Sequence, residues 1–282
     1  MLSVTPEQKE ASRVSKEEWR EYTKTVWHIA NVSSPDHPAV FPQEIPSRLI
    51  KLFSFTNEIV LDPFAGIGTT AEVALVNGRR AICVEQNPIY AGLIKDRIGS
   101  LNGNKSHLKV ICGDARKMSS IEDGTVGLVV TSPPYWNKAD YGTGRKNLGT
   151  IASYPGFLRE LRPAFEEVFR VLAPGRKCAV VTANVNQHTD HGLLTFPLAT
   201  DIVVMLREIG FVLINEIIWS KDGTGGRWGS ANSQRPIFGS YPYPPNFHFK
   251  NVHEYVIIVA KPSGVASKGK TVLPYAQLME LA

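Results

Sequence analysis

The sequence predicts an α/β fold, a doubly wound and mostly parallel sheet with helices on both faces and a C-terminal β-hairpin. Three observations carry that expectation. Short apolar runs of strand length recur along the chain, and most are separated by longer amphipathic stretches, the alternation from which parallel sheets are built. The first of them, Glu58 to Leu61, passes through a glycine-rich bend into a helical run, the strand, turn and helix that open doubly wound folds. The last two, Phe211 to Trp219 and His253 to Ala260, have no helical pattern between them and read as the hairpin.

Bulk properties fit that class. With 282 residues, 43% hydrophobic and 20% charged, the chain can bury a full core as one large domain or two small ones. Cys83, Cys112 and Cys178 sit in apolar runs without paired spacing, so reduced core residues in a cytoplasmic protein are expected, with neither a disulfide frame nor a zinc site. The first two dozen residues are charged and lack an apolar stretch, which argues against a signal peptide, and no later run is long enough for a bilayer. The net charge of +5 is concentrated: residues 101–150 carry an excess of three positive charges and residues 221–282 an excess of four. That distribution suits a partner that is a polyanion.

Residues 1–24 alternate acids and bases, with Glu17, Glu18 and Glu21 set against Arg20 and Lys24, and a solvated helix is expected. Prolines at 35, 38, 42 and 46 hold the next segment extended until a helix begins at Pro46. Phe41, between prolines, fits either core or the wall of a ligand pocket. The strand from Glu58 then enters Asp62-Pro63-Phe64-Ala65-Gly66-Ile67-Gly68-Thr69-Thr70 and the helical run Ala71 to Val76. Gly66 and Gly68 let backbone approach a ligand closely, and with Ala71 they complete a Gly-x-Gly-x-x-Ala pattern, so a nicotinamide dinucleotide is one reading. Asp62 argues against it, because an acid there repels a pyrophosphate but can hold an ammonium group.

A second strand, Ala81 to Val84, ends at Glu85, placed to accept both hydroxyls of a ribose, and leads into a helix over Pro88 to Ile98. A third, Leu108 to Cys112, ends at Gly113-Asp114-Ala115, where Asp114 can accept from an adenine amine. A fourth, Val126 to Val130, stops at Thr131-Ser132-Pro133-Pro134-Tyr135-Trp136, since two prolines bar both ladder pairing and helix entry. Such a turn suits a flat polar ligand: hydroxyl and carbonyl can accept from an amine in the ring plane while an aromatic side chain stacks on its face. Gly66, Glu85, Asp114 and Ser132 each follow a strand, and parallel strands bring all four ends to one edge.

Beyond the turn, Asn137 to Ile151 is a polar loop carrying Lys138, Arg145 and Lys146. An amphipathic helix over Phe157 to Leu172, a strand over Cys178 to Val181, a loop over Asn184 to Gly192 and a helix over Leu194 to Ile209 follow. His188, Asp190 and His191 in that loop lack a third metal ligand on a defined element, and no metal is expected. Ser220 to Val252 is far longer than an ordinary connection. It interleaves Arg227, Arg235 and Lys250 with Trp228, Phe238, Tyr241, Tyr243, Phe247 and Phe249, a mixture that can stack bases and hold phosphates, or equally fold back as a packed flap.

The hexapeptide from Thr131 resembles the catalytic motif of the amino-methyltransferases, which methylate an exocyclic amine of cytosine or adenine with S-adenosylmethionine. Asp62 to Thr70 is similar to that family's cofactor motif, and His37 to Pro42 to the segment that packs against the bound cofactor. The resemblance runs from residue 37 to about 261. It implies a Rossmann-like class I methyltransferase domain over 37–262, with 220–252 as a long substrate loop, between an N-terminal helical arm (1–36) and a tail (263–282). It implies Ser132, Pro133, Pro134 and Tyr135 as catalytic residues. The cofactor would be held by Phe41, Asp62, Phe64, Ala65, Gly66, Gly68, Thr69, Thr70, Glu85, Asp114 and Ala115, and substrate by Trp136, Lys138, Arg145, Arg227, Trp228, Arg235, Tyr241 and Tyr243. The serine form of the motif is most often associated with cytosine N4, and aspartate or asparagine with adenine N6. Methylation of cytosine N4 in DNA by a site-specific, restriction-modification type of enzyme, monomeric or homodimeric, is therefore the implied function. The alternatives are cytidine N4 in RNA, such as ribosomal RNA, and adenine N6 in DNA. One departure stands out: no large inserted domain for reading target sequence is present, so recognition falls to the 220–252 loop, the 137–151 loop, the N-terminal arm or a partner.

Overall fold

The computed structural model describes residues 3–32, 41–98, 105–138, 147–221, 240–247, 249 and 251–263. Two short helices open it, α1 (Pro6–Ala11) and α2 (Lys16–Tyr22), where the charge pattern had suggested one. Two complete capping boxes, Thr5 with Gln8 and Ser15 with Glu18, explain the split, since each satisfies the free amides of a new helix start. Neither helix buries a residue. The chain then forms β1 (Val26–His28), α3 (Glu44–Phe53), β2 (Ile59–Asp62), α4 (Thr69–Val76), β3 (Arg80–Glu85), α5 (Pro88–Ile98), β4 (Leu108–Cys112) and β5 (Val126–Thr131). It continues with α6 (Tyr154–Val171), β6 (Leu172–Thr182), β7 (Val185–Thr189), β8 (Gly192–Phe196), α7 (Leu198–Ile209), β9 (Val212–Ser220) and β10 (His253–Ala260).

Eight strands form one sheet in the order β1-β9-β10-β6-β5-β2-β3-β4. Every pairing is parallel except those of β10, which runs antiparallel to both β6 and β9 and so makes the expected terminal hairpin. Alternate residues of the central strands serve two cores. Val129, Cys178, Val180 and Ile257 pack beneath α6 and α7 through Leu161, Phe165, Ile202 and Leu206. Leu128, Val130, Ala179, Val181 and Val256 pack on the other face with Leu49, Ala74, Ile94 and Ile98 of α3, α4 and α5. This period of two, with both faces covered, is what makes the central strands continuously apolar.

The structure corrects several expected boundaries. Pro46 is the third residue of α3, a place where its missing amide costs nothing because the first four amides of a helix have no partner within it. Asn184 to Gly192, expected as a loop, contributes β7 and the start of β8, and Leu193 to Phe196 pair with Val185 to His188. Pro197 then caps α7, which therefore begins at Leu198 and not at Leu194. Cys83 and Cys178 are buried, but Cys112 is exposed, because β4 is the last strand at its edge of the sheet.

At the opposite edge, β1 lies parallel to β9, with Trp27 beside Trp219. Trp27 is fully buried and donates from Nε1 to the Tyr22 carbonyl (3.2 Å), while Trp219 donates to the Ile29 carbonyl (2.8 Å). The Arg48 guanidinium stacks 5.1 Å from the Trp27 ring. Truncating this anchor should be felt globally: Trp27→Ala is expected to lower the unfolding free energy by about 3–5 kcal/mol in urea denaturation, as for other large buried aromatics.

Candidate active site

The parallel strands end on one edge, and β10, running the other way, begins there. Asp62, Glu85, Asp114 and Ser132 therefore share that edge with Lys221, which follows β9, and Glu254, near the start of β10. The winding reverses at β2: the chain proceeds outward to β3 and β4, then returns to place β5 on the other side of β2. A crevice forms beyond the strand ends at such a switch point, because the loops on its two sides diverge to opposite faces.

Asp62 ends β2 at this edge, beside the switch point, and is only 3% exposed. Its Oδ1 accepts from the Thr131 hydroxyl (2.7 Å) and the Phe64 amide (3.1 Å), and its Oδ2 accepts from the Thr70 hydroxyl (2.8 Å). Burial pushes its pKa up to about 6, against the pull of these hydrogen bonds. The sequence assigns this carboxylate an ammonium ligand; in the structure three donors of the protein itself also engage Asp62, which ties β5 and α4 to the glycine bend.

That bend turns through Gly66 (φ 52°) and Gly68 (φ 85°), left-handed conformations that side chains rarely adopt. A Cβ on Gly68 would also meet Ile98 Cδ1 at 2.7 Å. The Gly66 amide donates to Glu85 Oε2 (2.8 Å), and the Asn87 amide to Glu85 Oε1 (2.8 Å). Burial raises the Glu85 pKa. The buried Ala65 donates its amide to the Val84 carbonyl (3.1 Å), and Thr69 and Thr70 open α4. Phe64 and Phe41 are partly buried against the two opposite cores.

Asp114, beyond β4, is gripped by Arg116, whose Nε lies 3.0 and 3.2 Å from its two oxygens and whose Nη2 lies 2.9 Å from Oδ2. Arg116 also bonds Glu160 on α6 (2.6 Å), which fixes the loop against that helix, and Ala115 is buried beside the pair.

The turn after β5 buries both prolines and leaves Ser132 and Tyr135 partly exposed. The Ser132 hydroxyl donates to the Tyr135 hydroxyl (3.2 Å), and Tyr135 donates to Glu254 Oε2 (2.8 Å). The Lys221 ammonium bonds Glu254 Oε1 and lies 4.4 Å from the Trp219 ring. Sequence reasoning singled out neither Glu254 nor Lys221; their only signal was a position beside strands whose ends reach this edge.

Trp136 does not join the substrate residues expected of it. It takes a left-handed φ of 52° and turns inward, where its ring meets Tyr154 (5.2 Å) and Phe196 (4.9 Å) and its Nε1 donates to the Ile151 carbonyl (2.8 Å). Lys138 bonds the Asn186 carbonyl and Gln187 Oε1 (3.5 Å), which anchors the β7–β8 hairpin to the turn, and desolvation lowers its pKa. Tyr241 and Tyr243 are 67% and 74% exposed. Arg145, Arg227, Trp228 and Arg235 lie outside the described residues, as does most of His37 to Pro42. Among the described residues, no three His, Cys, Asp or Glu side chains are grouped to hold a metal, and no helix is long and apolar enough to cross a membrane.

Comparison with known proteins accords with this geometry. A family model described as DNA methylase matches residues 2–96 and 126–276. The chain is 30% identical over 190 residues to the type II methyltransferase M.MjaI of Methanocaldococcus jannaschii, covering 60% of each. It is 38% identical over 103 residues to the type II methyltransferase M.BglI of Bacillus subtilis, covering 35% of this chain and 30% of that one. The matches thus span less than two thirds of these relatives' lengths. A solved S-adenosylmethionine-dependent methyltransferase from Methanosarcina mazei shares the fold at 14% identity, with a TM-score of 0.50 over 76% of this chain and 97% of that one.

Asp62 gives the site a pH signature. Its folded pKa of about 6 lies above the ordinary 3.8, so its contribution to stability is fully present below about pH 4 and is lost as pH rises through 6. The unfolding free energy of the wild type relative to Asp62→Asn should fall by up to about 3 kcal/mol across that window, measured by urea denaturation at a series of pH values.

Proposed function

The chain belongs to the N6/N4 DNA methylase family, and from that membership we propose that it transfers a methyl group from S-adenosylmethionine to the exocyclic N4 amine of cytosine in DNA. The observation that carries the reading is the hydrogen bond from Thr131 to Asp62, which fastens the residue preceding Ser132 to the strand end preceding the glycine bend. Cofactor motif and catalytic turn are thereby held on either side of the switch point.

The residues fit the cofactor. Gly66 and Gly68 turn in left-handed conformations and leave bare backbone for a ligand to approach, and Glu85 offers a carboxylate at a strand end whose oxygens, each already taking one amide, retain lone pairs for two ribose hydroxyls. Asp114 can accept an adenine amine while Arg116 holds it in place. When bound, S-adenosylmethionine supplies an electrophilic methyl on a sulfonium.

The amine lone pair of cytosine is delocalised into its ring, so the protein must favour a more tetrahedral nitrogen aimed at that methyl. The Ser132 hydroxyl and the Pro133 carbonyl would accept the two amine hydrogens and draw the lone pair out of conjugation, while Tyr135 stacks on the ring. Methyl transfer leaves a cationic amine whose two protons are acidic, so water suffices to remove one of them and no strong base is needed. A target base in a duplex must first be flipped out, at about a few kcal/mol. Tyr241, Tyr243, Phe247 and Phe249 present exposed rings on which displaced bases can stack. Support for cytosine over adenine is the serine at position 132, and support for restriction-modification use is the type II designation of the relatives. On this reading residues 37–262 are the catalytic domain, with β1 of the 1–36 arm extending its sheet.

The protein should be incubated with isotopically labelled methyl donor and either bulk DNA or RNA, followed by nucleoside mass spectrometry. N4-methylcytosine in DNA is the expected product; N6-methyladenine, or label confined to RNA, overturns the assignment of base or polymer. Ser132→Ala should lose about 100-fold in kcat, the order seen when one preorganised hydrogen-bonding group is removed, while S-adenosylmethionine affinity stays within about twofold.

A further inference from the structure

We propose that Glu254, held by Lys221, sets the hydrogen-bond polarity of the catalytic turn, so that Ser132 faces the crevice as an acceptor and the site selects a base bearing an amine over one bearing a carbonyl at the same position. The inference rests on the methyl-transfer reading above and deepens it.

A hydroxyl can donate or accept, so Ser132 alone does not discriminate between an amine and a carbonyl. Its neighbours remove that freedom. Lys221 carries only donors, and its ammonium occupies Glu254 Oε1. The Glu254 carboxylate is an acceptor, so the Tyr135 hydroxyl must spend its one hydrogen on Oε2, at 2.8 Å. The Tyr135 oxygen is then left to accept, and Ser132 spends its one hydrogen there, at 3.2 Å. Ser132 thus turns only lone pairs outward. Cytosine N4 can donate to them; uracil or thymine O4 would meet them lone pair to lone pair, an unpaired contact that costs a site much of its affinity.

The row of hydrogen bonds spans the sheet edge because, among the described strands of the eight-stranded sheet, β10 alone starts there. Glu254 lies opposite Trp219 in the β9–β10 ladder, two residues before Lys221, and the register that pairs the strands also sets carboxylate and ammonium side by side. Glu254 is a positioning residue: it acts through Tyr135 on Ser132.

An amide at position 254 would reverse the chain. Lys221 can pair only with the amide oxygen, which turns the NH2 toward Tyr135; Tyr135 would then donate to Ser132, and Ser132 would donate into the crevice. The test uses the full-length protein with denatured bulk DNA and, as competitor, the same DNA with its cytosines deaminated to uracil. Glu254→Gln should lose about 10-fold or more in kcat with S-adenosylmethionine affinity within about twofold, and the deaminated DNA, a poor inhibitor of the wild type, should inhibit the variant as well as unconverted DNA does. Adding Lys221→Met to Glu254→Gln frees the amide to flip and should restore part of the turnover. A part played only in holding β9 to β10 would make that double variant worse than either single change. Tyr135→Phe cuts the same chain without altering β10, and Glu254→Gln combined with it should lose no more than Tyr135→Phe alone.

Wild-type turnover by Glu254→Gln, or by Tyr135→Phe should the Glu254 variants fail to fold, overturns the proposal, as does unchanged preference for unconverted DNA. A wild-type protein that methylates neither nucleic acid overturns the methyl-transfer reading itself, and this proposal with it. Methylation of cytosine by the wild type together with an indifferent Glu254→Gln removes only the polarity mechanism.

Discussion

A buried carboxylate with three donors holds the two halves of the crevice in register. Asp62 ends one central strand, and its oxygens receive Thr131 from the neighbouring strand, Thr70 from the helix that follows the glycine bend, and the bend's own Phe64 amide. Without that convergence the loops beyond β2 and β5 would diverge freely, since a switch point separates their chains to opposite faces of the sheet. Burial of an acid is costly, and the raised pKa of Asp62 records that cost. The tension places a destabilised group at the centre of the site, where stability is commonly sacrificed for geometry.

Much of the scaffold could be read before any coordinates because the signals involved are local. Strand-length apolar runs ended by an acid, a glycine or paired prolines gave the four ends that now share one edge, and α5, β4 and β10 begin and end where their patterns do. The misses also have local causes. Asn186, Gln187, His188 and Thr189 have no apolar alternation, so β7 had no strand signature; its partner β8 is what gives those residues a ladder. Trp136 looked like a substrate residue because it adjoins the proline turn, yet a single left-handed φ sends its ring into the core.

Two site features were illegible for a deeper reason. An acid at a strand end reads the same whatever donors the protein itself sends to it, so the hydroxyls of Thr70 and Thr131 on Asp62 and the amides of Gly66 and Asn87 on Glu85 could not be read from position. Nor could the partners of Tyr135 be found by motif, because Glu254 is 119 residues away and joins it only through the sheet order and the antiparallel sense of β10. Long-range register is a property of the whole fold, and no window of sequence contains it.

The same register explains why polar groups can be concentrated at this edge without disordering it. Of the groups that meet there, Asp62, Glu85 and Glu254 are each engaged by a donor from another segment, Thr131, Gly66 and Lys221, and Asp114 by Arg116 of its own loop, which Glu160 ties to α6. A carboxylate so held presents its remaining lone pairs in directions set by the backbone and has little freedom to reorient when a ligand arrives. Preorganisation of this kind lowers the cost of binding, because the donors that shape the site have already been ordered during folding. It also makes the direction of each hydrogen bond a structural property: where an acceptor-only group ends a row of hydroxyls, every hydroxyl in the row inherits its sense. In any site that must tell an amine from a carbonyl of similar size and shape, an inherited sense of this kind can distinguish them where packing treats the two groups nearly alike.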